Sequence, residues 1–341
     1  MSFPRDLRIG IPAVLGGLLV VLRCVQVSQR TLYWDDLVIP AKFSPLSFTG
    51  LFRLYDNHLM PGSALVQVLV ARAAPLSWWL PALIIVLLTA ASFLLWVCAL
   101  RVLAPDRPMM RLIGLALLGF SPFLMDAAGW WSTAINAYAW QCACAGVLWL
   151  VLRRHPWFAA IVLLVGLVFT EKSLTIMPVI VVLLLIIGKI RSHKLSIFLL
   201  VVVTAGWLVV YLPRLDFGLG GTTRTVTFGL PTALFQAIIP GALGGPWQWS
   251  RWIPGKAFAD PSMPLSIIAV IVLFALMFPA ALRRPQRVLL LIPTLGYLIT
   301  IWFFLFTARG GEETSETLLR SMHYYVDWWS MTVLVGVAGL R

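Results

Sequence analysis

The chain has 341 residues, 60% of them hydrophobic and 11% charged, with a mean hydropathy of +0.93. Apolar runs of spanning length recur from end to end, which excludes a soluble globular domain. The net charge of +13 would suit a nucleic-acid partner, but its placement excludes one: Arg101/Arg107/Arg111, Arg153/Arg154, Lys189/Arg191/Lys194 and Arg283/Arg284/Arg287 all sit in short connections between apolar runs, the positive-inside pattern of a polytopic membrane protein.

Backbone in lipid must satisfy its own hydrogen bonds, so each apolar run is expected to be a helix, and the alternation of a β-barrel is absent. The fold class is therefore an all-α polytopic membrane protein. Arg5 and Arg8 precede the first apolar run as in a signal peptide. Arg23 and Arg30 occupy the place of a cleavage site, so a retained first helix with a cytoplasmic N-terminus is expected over 8–27. The segment 28–78 is then the first extracytoplasmic loop. Within it, 61–76 is predicted as a short helix near the outer surface, ending at Pro75 and the anchor pair Trp78-Trp79.

Further spans are predicted at 79–103, 111–126, 136–152, 156–170, 173–189 and 195–213. A long outer loop rich in Gly, Pro and Trp follows at 214–263, then spans at 264–282 and 288–307 around the Arg283/Arg284/Arg287 turn, and a last outer loop at 308–324. A final apolar run stops abruptly at Arg341. This makes about ten spans in one transmembrane domain, 1–341. Cys24, Cys98, Cys142 and Cys144 lie in apolar runs without disulfide or metal-site spacing, and read as packed thiols.

The acidic residues test this topology, because they were not used to build it. Of the 13, only Asp6 and Asp106 fall inside. Both asparagines, Asn57 and Asn136, map outside. Chemistry that needs carboxylates is therefore expected on the extracytoplasmic side.

The most polar stretch of the N-terminal third is WDDLVIPAKFSPLSFTGLFRLYDNHLMPG, residues 34–62. Asp35 and Asp36 can accept a proton from a hydroxyl or hold a cation; a solvated loop end is the alternative. Asp56, Asn57 and His58 precede Pro61, which suits the first turn of a helix whose N–H groups can meet a phosphate. His58 can add a donor there, or can simply anchor at the interface. Glu171 and Lys172 form a charged pair at a turn between two spans, a functional candidate when placed at membrane depth. In 126–138, Trp130 and Trp131 fit either a sugar-stacking platform or an aromatic belt, and Asn136 can bond hydroxyls. Arg320, His323 and Tyr324 lie in the last outer loop, where Arg and His suit a phosphate. Glu312, Glu313 and Glu316 read as a solvated face. His155 and His193 lie in inner basic turns without assigned chemistry.

An acidic pair after helix one, followed some twenty residues on by His58-Leu59-Met60-Pro61, resembles the integral-membrane C-type glycosyltransferases (GT-C), which include protein O-mannosyltransferases and aminoarabinose transferases. Those enzymes carry an Asp-Glu or Asp-Asp pair in the first outer loop and a His- or Lys-Pro-Pro-Leu motif opening the next helix. Here Met60 stands before Pro61, so the double proline is missing. The resemblance covers about residues 5–190 in topology.

The resemblance implies a helical bundle with short juxtamembrane helices in the first loop, and a polyprenyl-phosphate sugar donor. Asp35 or Asp36 would act as general base on an acceptor hydroxyl of a glycan, lipid or protein, with inversion at the anomeric carbon. It implies donor-phosphate contacts from His58, Lys172, Arg320 and His323. Substrate contacts would come from Asp56, Asn57, Glu171, Trp131, Asn136 and Tyr324. Some members use a divalent cation (Mg, Mn or Ca) and others do not; no metal ligand is assigned. The expected location is a bacterial plasma membrane with the active site extracytoplasmic. Family members commonly continue into a soluble outer domain, so this chain reads as a minimal member or a fragment. Two alternatives remain: a lipid-linked-sugar flippase or transporter, and a non-catalytic partner in an envelope-assembly complex.

Overall fold

Prolines set many of the helix starts, because a missing N–H costs nothing in the first turn. Pro61, Pro108, Pro122 and Pro156 each open a helix in the computed structural model, which describes residues 5–215, 225–251, 256–308 and 315–340. Two compact units emerge. Among the described residues the first holds 5–119 and 128–215, and the second holds 120–127 with the chain after 224.

The first unit contains α1 (Arg5–Ser28), α2 (Asp35–Lys42), α3 (Phe48–Leu51), α4 (Pro61–Ala73), α5 (Trp79–Leu103) and α6 (Pro108–Gly119). After α7 (Pro122–Ala128) it resumes with α8 (Trp131–Leu152), α9 (Pro156–Phe169), α10 (Ile176–Ile186) and α11 (Lys194–Tyr211). Helix α8 is central. It packs on α5 and α9, while α1 packs on α5 and α11 on α9. Its polar side chains find partners on neighbouring helices. Thr89 Oγ1 lies 2.8 Å from Tyr138 Oη, Trp96 Nε1 donates to Gln141 Oε1 at 2.7 Å, and Trp140 Nε1 donates to Thr175 Oγ1 at 3.0 Å. In a helix bundle without a hydrophobic driving force between its members, such bonds and close packing carry association. The α8–α9 contact is close: a Cβ on Gly166 would lie 2.6 Å from Ala143 Cβ.

The second unit is built on α7 and a helical segment over 225–242. That segment passes through π-type turns at Thr225–Gly229 and Ala233–Ile238, with short α stretches α12 (Leu230–Thr232) and α13 (Ile239–Ala242). Strands β1 (Trp249–Arg251) and β2 (Ala257–Ala259) pair antiparallel, Ser250 opposite Phe258. Then come α14 (Met263–Arg283), α15 (Leu291–Ala308), α16 (Ser315–Leu319) and α17 (Val326–Gly339). Phe123 of α7 is fully buried and meets the rings of Tyr325, Trp328 and Trp329.

The all-α polytopic reading holds. Among the described residues six helices are long and apolar enough to cross a membrane: Gly10–Ser28, Trp79–Leu103, Pro108–Ala128, Trp131–Leu152, Ile190–Arg214 and Pro285–Leu305. Pro156–Phe169 and Met263–Pro279 are shorter apolar helices. Several predicted boundaries change. The run at 111–126 is interrupted at Phe120-Ser121, ahead of Pro122. The run at 173–189 begins with a 3₁₀ turn, Glu171–Thr175, which leaves α10 only 11 residues. The predicted loop 214–263 contains the 225–242 helices and the strand pair, and 308–324 contains α16 and a 3₁₀ turn at Met322–Tyr325. Glu312 and Glu313 lie outside the described residues.

Gly166→Ala should lower the thermal unfolding midpoint, by about 1–3 kcal/mol of overpacking. Adding Ala143→Gly to the same chain should recover most of the loss. An unchanged midpoint for the single variant would contradict the close α8–α9 approach.

Candidate functional site

The acidic pair opens α2 directly after Trp34, whose φ of 38° lies in the left-handed region. The two carboxylates have different surroundings. Asp36 is buried, 4% exposed. Its Oδ2 accepts the Tyr33 N–H at 2.9 Å and its Oδ1 accepts the Ser132 N–H at 2.8 Å. Ser132 lies in the first turn of α8, where N–H groups lack intrahelical acceptors and the helix dipole is positive. Asp36 therefore caps α8 from another segment. Burial pushes its pKa up to about 6, against the lowering effect of both N–H donors, with neighbouring Asp35 adding to the rise. Asp35 is half-buried and accepts a hydrogen bond from Tyr55 Oη.

Tyr55 and His58 exchange backbone hydrogen bonds of 3.1 and 2.8 Å across a two-residue turn. The turn residues, Asp56 and Asn57, have φ of 47° and 62°. This is a hairpin turn that needs left-handed backbone twice, and Asp and Asn are the non-glycine residues that adopt it most readily. Tyr211, at the end of α11, donates to Asn57 O at 2.8 Å and braces it. The turn thus aims Tyr55 at Asp35, while His58 Nδ1 meets Glu171 Oε1.

Glu171 starts the 3₁₀ turn after α9, beside Lys172. Burial alone would raise the Glu171 carboxyl. The charge and hydrogen bond of His58, with Lys172 adding to them, outweigh burial and hold it below the ordinary carboxylate range. Its Oε2 is buried without a hydrogen-bond partner among the described residues. Helix α4 closes against the same turn. A Cβ on Gly62 would lie 3.1 Å from Val168 O, and Ser63 Oγ lies 2.6 Å from Asn136 Oδ1 and 2.7 Å from Phe169 O. One relay of contacts, Asp35–Tyr55–His58–Glu171, therefore joins the acidic pair to the Glu171-Lys172 turn within the first unit.

Tyr55, Tyr211, Arg53 and Arg214 were not singled out from the sequence. Arg53 and Arg214 line a pocket of about 680 Å³ with Phe48 and Phe52. Among the described residues neither arginine forms an ion pair. The available signal was Arg214, a cation at the outer end of a predicted span, where the positive-inside pattern does not place one. Trp131 is 2% exposed, packed in the unit rather than presenting an open ring face.

The remaining candidates lie in the second unit and are engaged there. His323 Nδ1 is 3.1 Å from Asp126 Oδ2, its backbone N–H donates to the same oxygen at 2.9 Å, and Lys256 Nζ is 3.2 Å from Asp126 Oδ1. Arg320 donates to Asp260 at 2.8 Å and to Gln236 at 3.0 Å, and lies 4.4 Å from the Phe258 ring centre. Tyr324 packs on the His323 ring at 4.2 Å between centroids. Lys256 was not singled out in the sequence reading.

Divalent cations need several converging oxygen ligands. Both Asp36 oxygens are taken by N–H donors, and among the described residues no three His, Cys, Asp or Glu side chains gather. No protein-family model matches the chain, and no curated protein matches it in sequence.

Two outcomes follow from this geometry. The folded state holds the Asp36 proton more tightly than the unfolded chain, so Asp36 favours the fold at low pH and that contribution fades as pH rises through about 6. Its size is about 2–3 kcal/mol. Scanning calorimetry between pH 5 and 7.5 should show the midpoint rising toward pH 5, and Asp36→Asn should flatten the slope; an equal slope in both proteins would refute it. For the second, His58→Ala leaves Glu171 buried without its partner and should cost about 3 kcal/mol. The double variant with Glu171→Gln should cost clearly less than the two singles combined, whereas additive losses would show that the pair is not coupled.

Proposed function

We propose that this chain is a membrane glycosyltransferase of the C type, moving a sugar from a polyprenyl phosphate to an acceptor hydroxyl with inversion. The observation that carries the reading is the relay from Asp35 through Tyr55 to the His58–Glu171 pair beside Lys172. It sets a half-exposed carboxylate and a cation-bearing turn in one connected arrangement.

In this reading the division of the acidic pair assigns the roles. Asp36 is committed to α8, so Asp35 is the base. Asp35 takes the proton of the acceptor hydroxyl as the oxygen forms its bond to the anomeric carbon. The bond from that carbon to the phosphate oxygen breaks, and the lipid phosphate leaves with the electron pair. Cations nearby stabilise the charge that develops on it, the larger electrostatic contribution in such transfers. Lys172 and His58 serve here, and the pocket with Arg53 and Arg214 offers two further guanidinium groups. Glu171 holds His58 in position for this role and is the candidate contact to the sugar.

The bundle is read as about ten spans: the six long apolar helices, the two shorter ones at Pro156–Phe169 and Met263–Pro279, and α10 and α17. The expected setting is a bacterial plasma membrane with the N-terminus cytoplasmic and Asp35 on the far side.

The test is transfer from a panel of radiolabelled polyprenyl-phosphate sugars by protein reconstituted in vesicles. Asp35→Asn should reduce turnover by about 10²–10⁴-fold, the usual contribution of a general base. Asp36→Asn, assayed on folded protein, should retain far more. Equal turnover by wild type and Asp35→Asn would sink the assignment.

A further inference from the structure

A groove of about 480 Å³ runs between α5, α8 and α9, at a place the transferase reading does not use. Its lining is apolar throughout. On α8 it follows one face, with Ala139, Cys142, Ala143, Gly146, Trp149 and Leu150 at helical spacing. The small residues in this series make the concavity, and Gly166 of α9 completes it.

The same face of α8 ends in charge. The Arg153 N–H donates to Trp149 O at 3.0 Å, which places Arg153 one turn beyond the groove. Arg154 follows with φ of 63°. His155 N–H bonds Leu150 O and Arg154 N–H bonds Val151 O, closing the helix in a Schellman motif whose left-handed position belongs to Arg154. Helix α10 closes the same way with glycine: Lys189 N–H bonds Leu184 O, and Gly188 has φ of 70°. The chain thus holds an arginine where its own second example uses the residue the backbone favours. Both arginines are exposed, and Trp157 and Phe158 beside them are 64% and 63% exposed. Cations flanked by exposed aromatics at a helix end are the composition of a membrane–water interface.

We propose that this groove seats one acyl chain of an anionic glycerophospholipid, whose phosphate is held by Arg153 and Arg154. The occupant follows from the joining of the two surfaces. An apolar channel alone would accept any tail. Two exposed arginines one turn past the groove's α8 lining favour a headgroup that carries a phosphate and a net negative charge, which a zwitterionic lipid lacks. By the positive-inside pattern these arginines face the cytoplasmic leaflet, where anionic lipids are concentrated. The site is separate from the proposed transfer reaction and stands or falls without it.

The experiment uses the full chain in phosphatidylcholine vesicles, doped with a phosphatidylglycerol probe that carries a diazirine in its acyl chain. Photolysis and peptide mass spectrometry should place adducts within 135–166, several-fold above those from the matching phosphatidylcholine probe. Arg153→Gln/Arg154→Gln changes only exposed side chains and should bring the phosphatidylglycerol adducts down to the phosphatidylcholine level. Unlabelled phosphatidylglycerol should compete. Equal adducts from both probes in wild type would overturn the proposal, whatever the variant does. Competition by polyprenyl phosphate but not by phosphatidylglycerol would also overturn it, assigning the groove to an isoprenoid chain instead.

Discussion

A carboxylate taken out of water needs donors, and Asp36 finds them in the N–H groups of Tyr33 and of Ser132 in the first turn of α8. The positive end of a helix dipole makes that turn a suitable acceptor of negative charge. The consequence reaches beyond one bond. Because α8 is the most contacted helix of the first unit, fixing Asp36 to its start fixes α2 and therefore Asp35. Asp35 then has a defined direction, toward Tyr55, and Tyr55 lies across a tight turn from His58. The adjacent carboxylates thus divide the work: one is spent on placement so that the other can be aimed and still remain half open to its surroundings.

The helical class and most helix positions were legible in the sequence because apolar runs and prolines act locally. A run such as 79–103 has the same meaning in any surroundings, and Pro61 or Pro156 marks a start by removing a donor the first turn does not need. What escaped notice depends on the rest of the chain. The break at Phe120-Ser121 lies in an apolar run and leaves no mark in hydropathy. The helices at 225–242 are rich in Gly and Pro, which read as loop, and their π-type turns carry no sequence signature of their own.

The candidate site was legible in the same uneven way. Asp35, His58, Glu171 and Lys172 were found because charged groups between apolar runs stand out. Asp56 and Asn57 were also noticed, but residue type could not separate a ligand contact from a left-handed turn, since short polar side chains serve both. Their φ values and the bridge between Tyr55 and His58 give them a structural task. Tyr55 escaped because a tyrosine in an aromatic-rich loop is ordinary until its hydroxyl is seen to reach Asp35. Pairing at long range, such as His58 with Glu171 at 113 positions apart, is invisible to spacing.

The two ends of α8 complete the electrostatic picture of the first unit. Its first turn receives the carboxylate of Asp36, and its last turn leads into Arg153 and Arg154. Negative charge at the start and positive charge at the end both oppose the helix dipole favourably. Between them the helix is apolar or hydrogen-bonded to its neighbours, and low-dielectric surroundings strengthen such end charges. Sliding of α8 along its axis would break the Asp36–Ser132 bond at its start, while Arg153 and Arg154 are continuous with the helix and would travel with it. The Asp36 contact therefore fixes the axial position of α8, which keeps Asp35 in place and sets where Arg153 stands against the neighbouring helices α5 and α9.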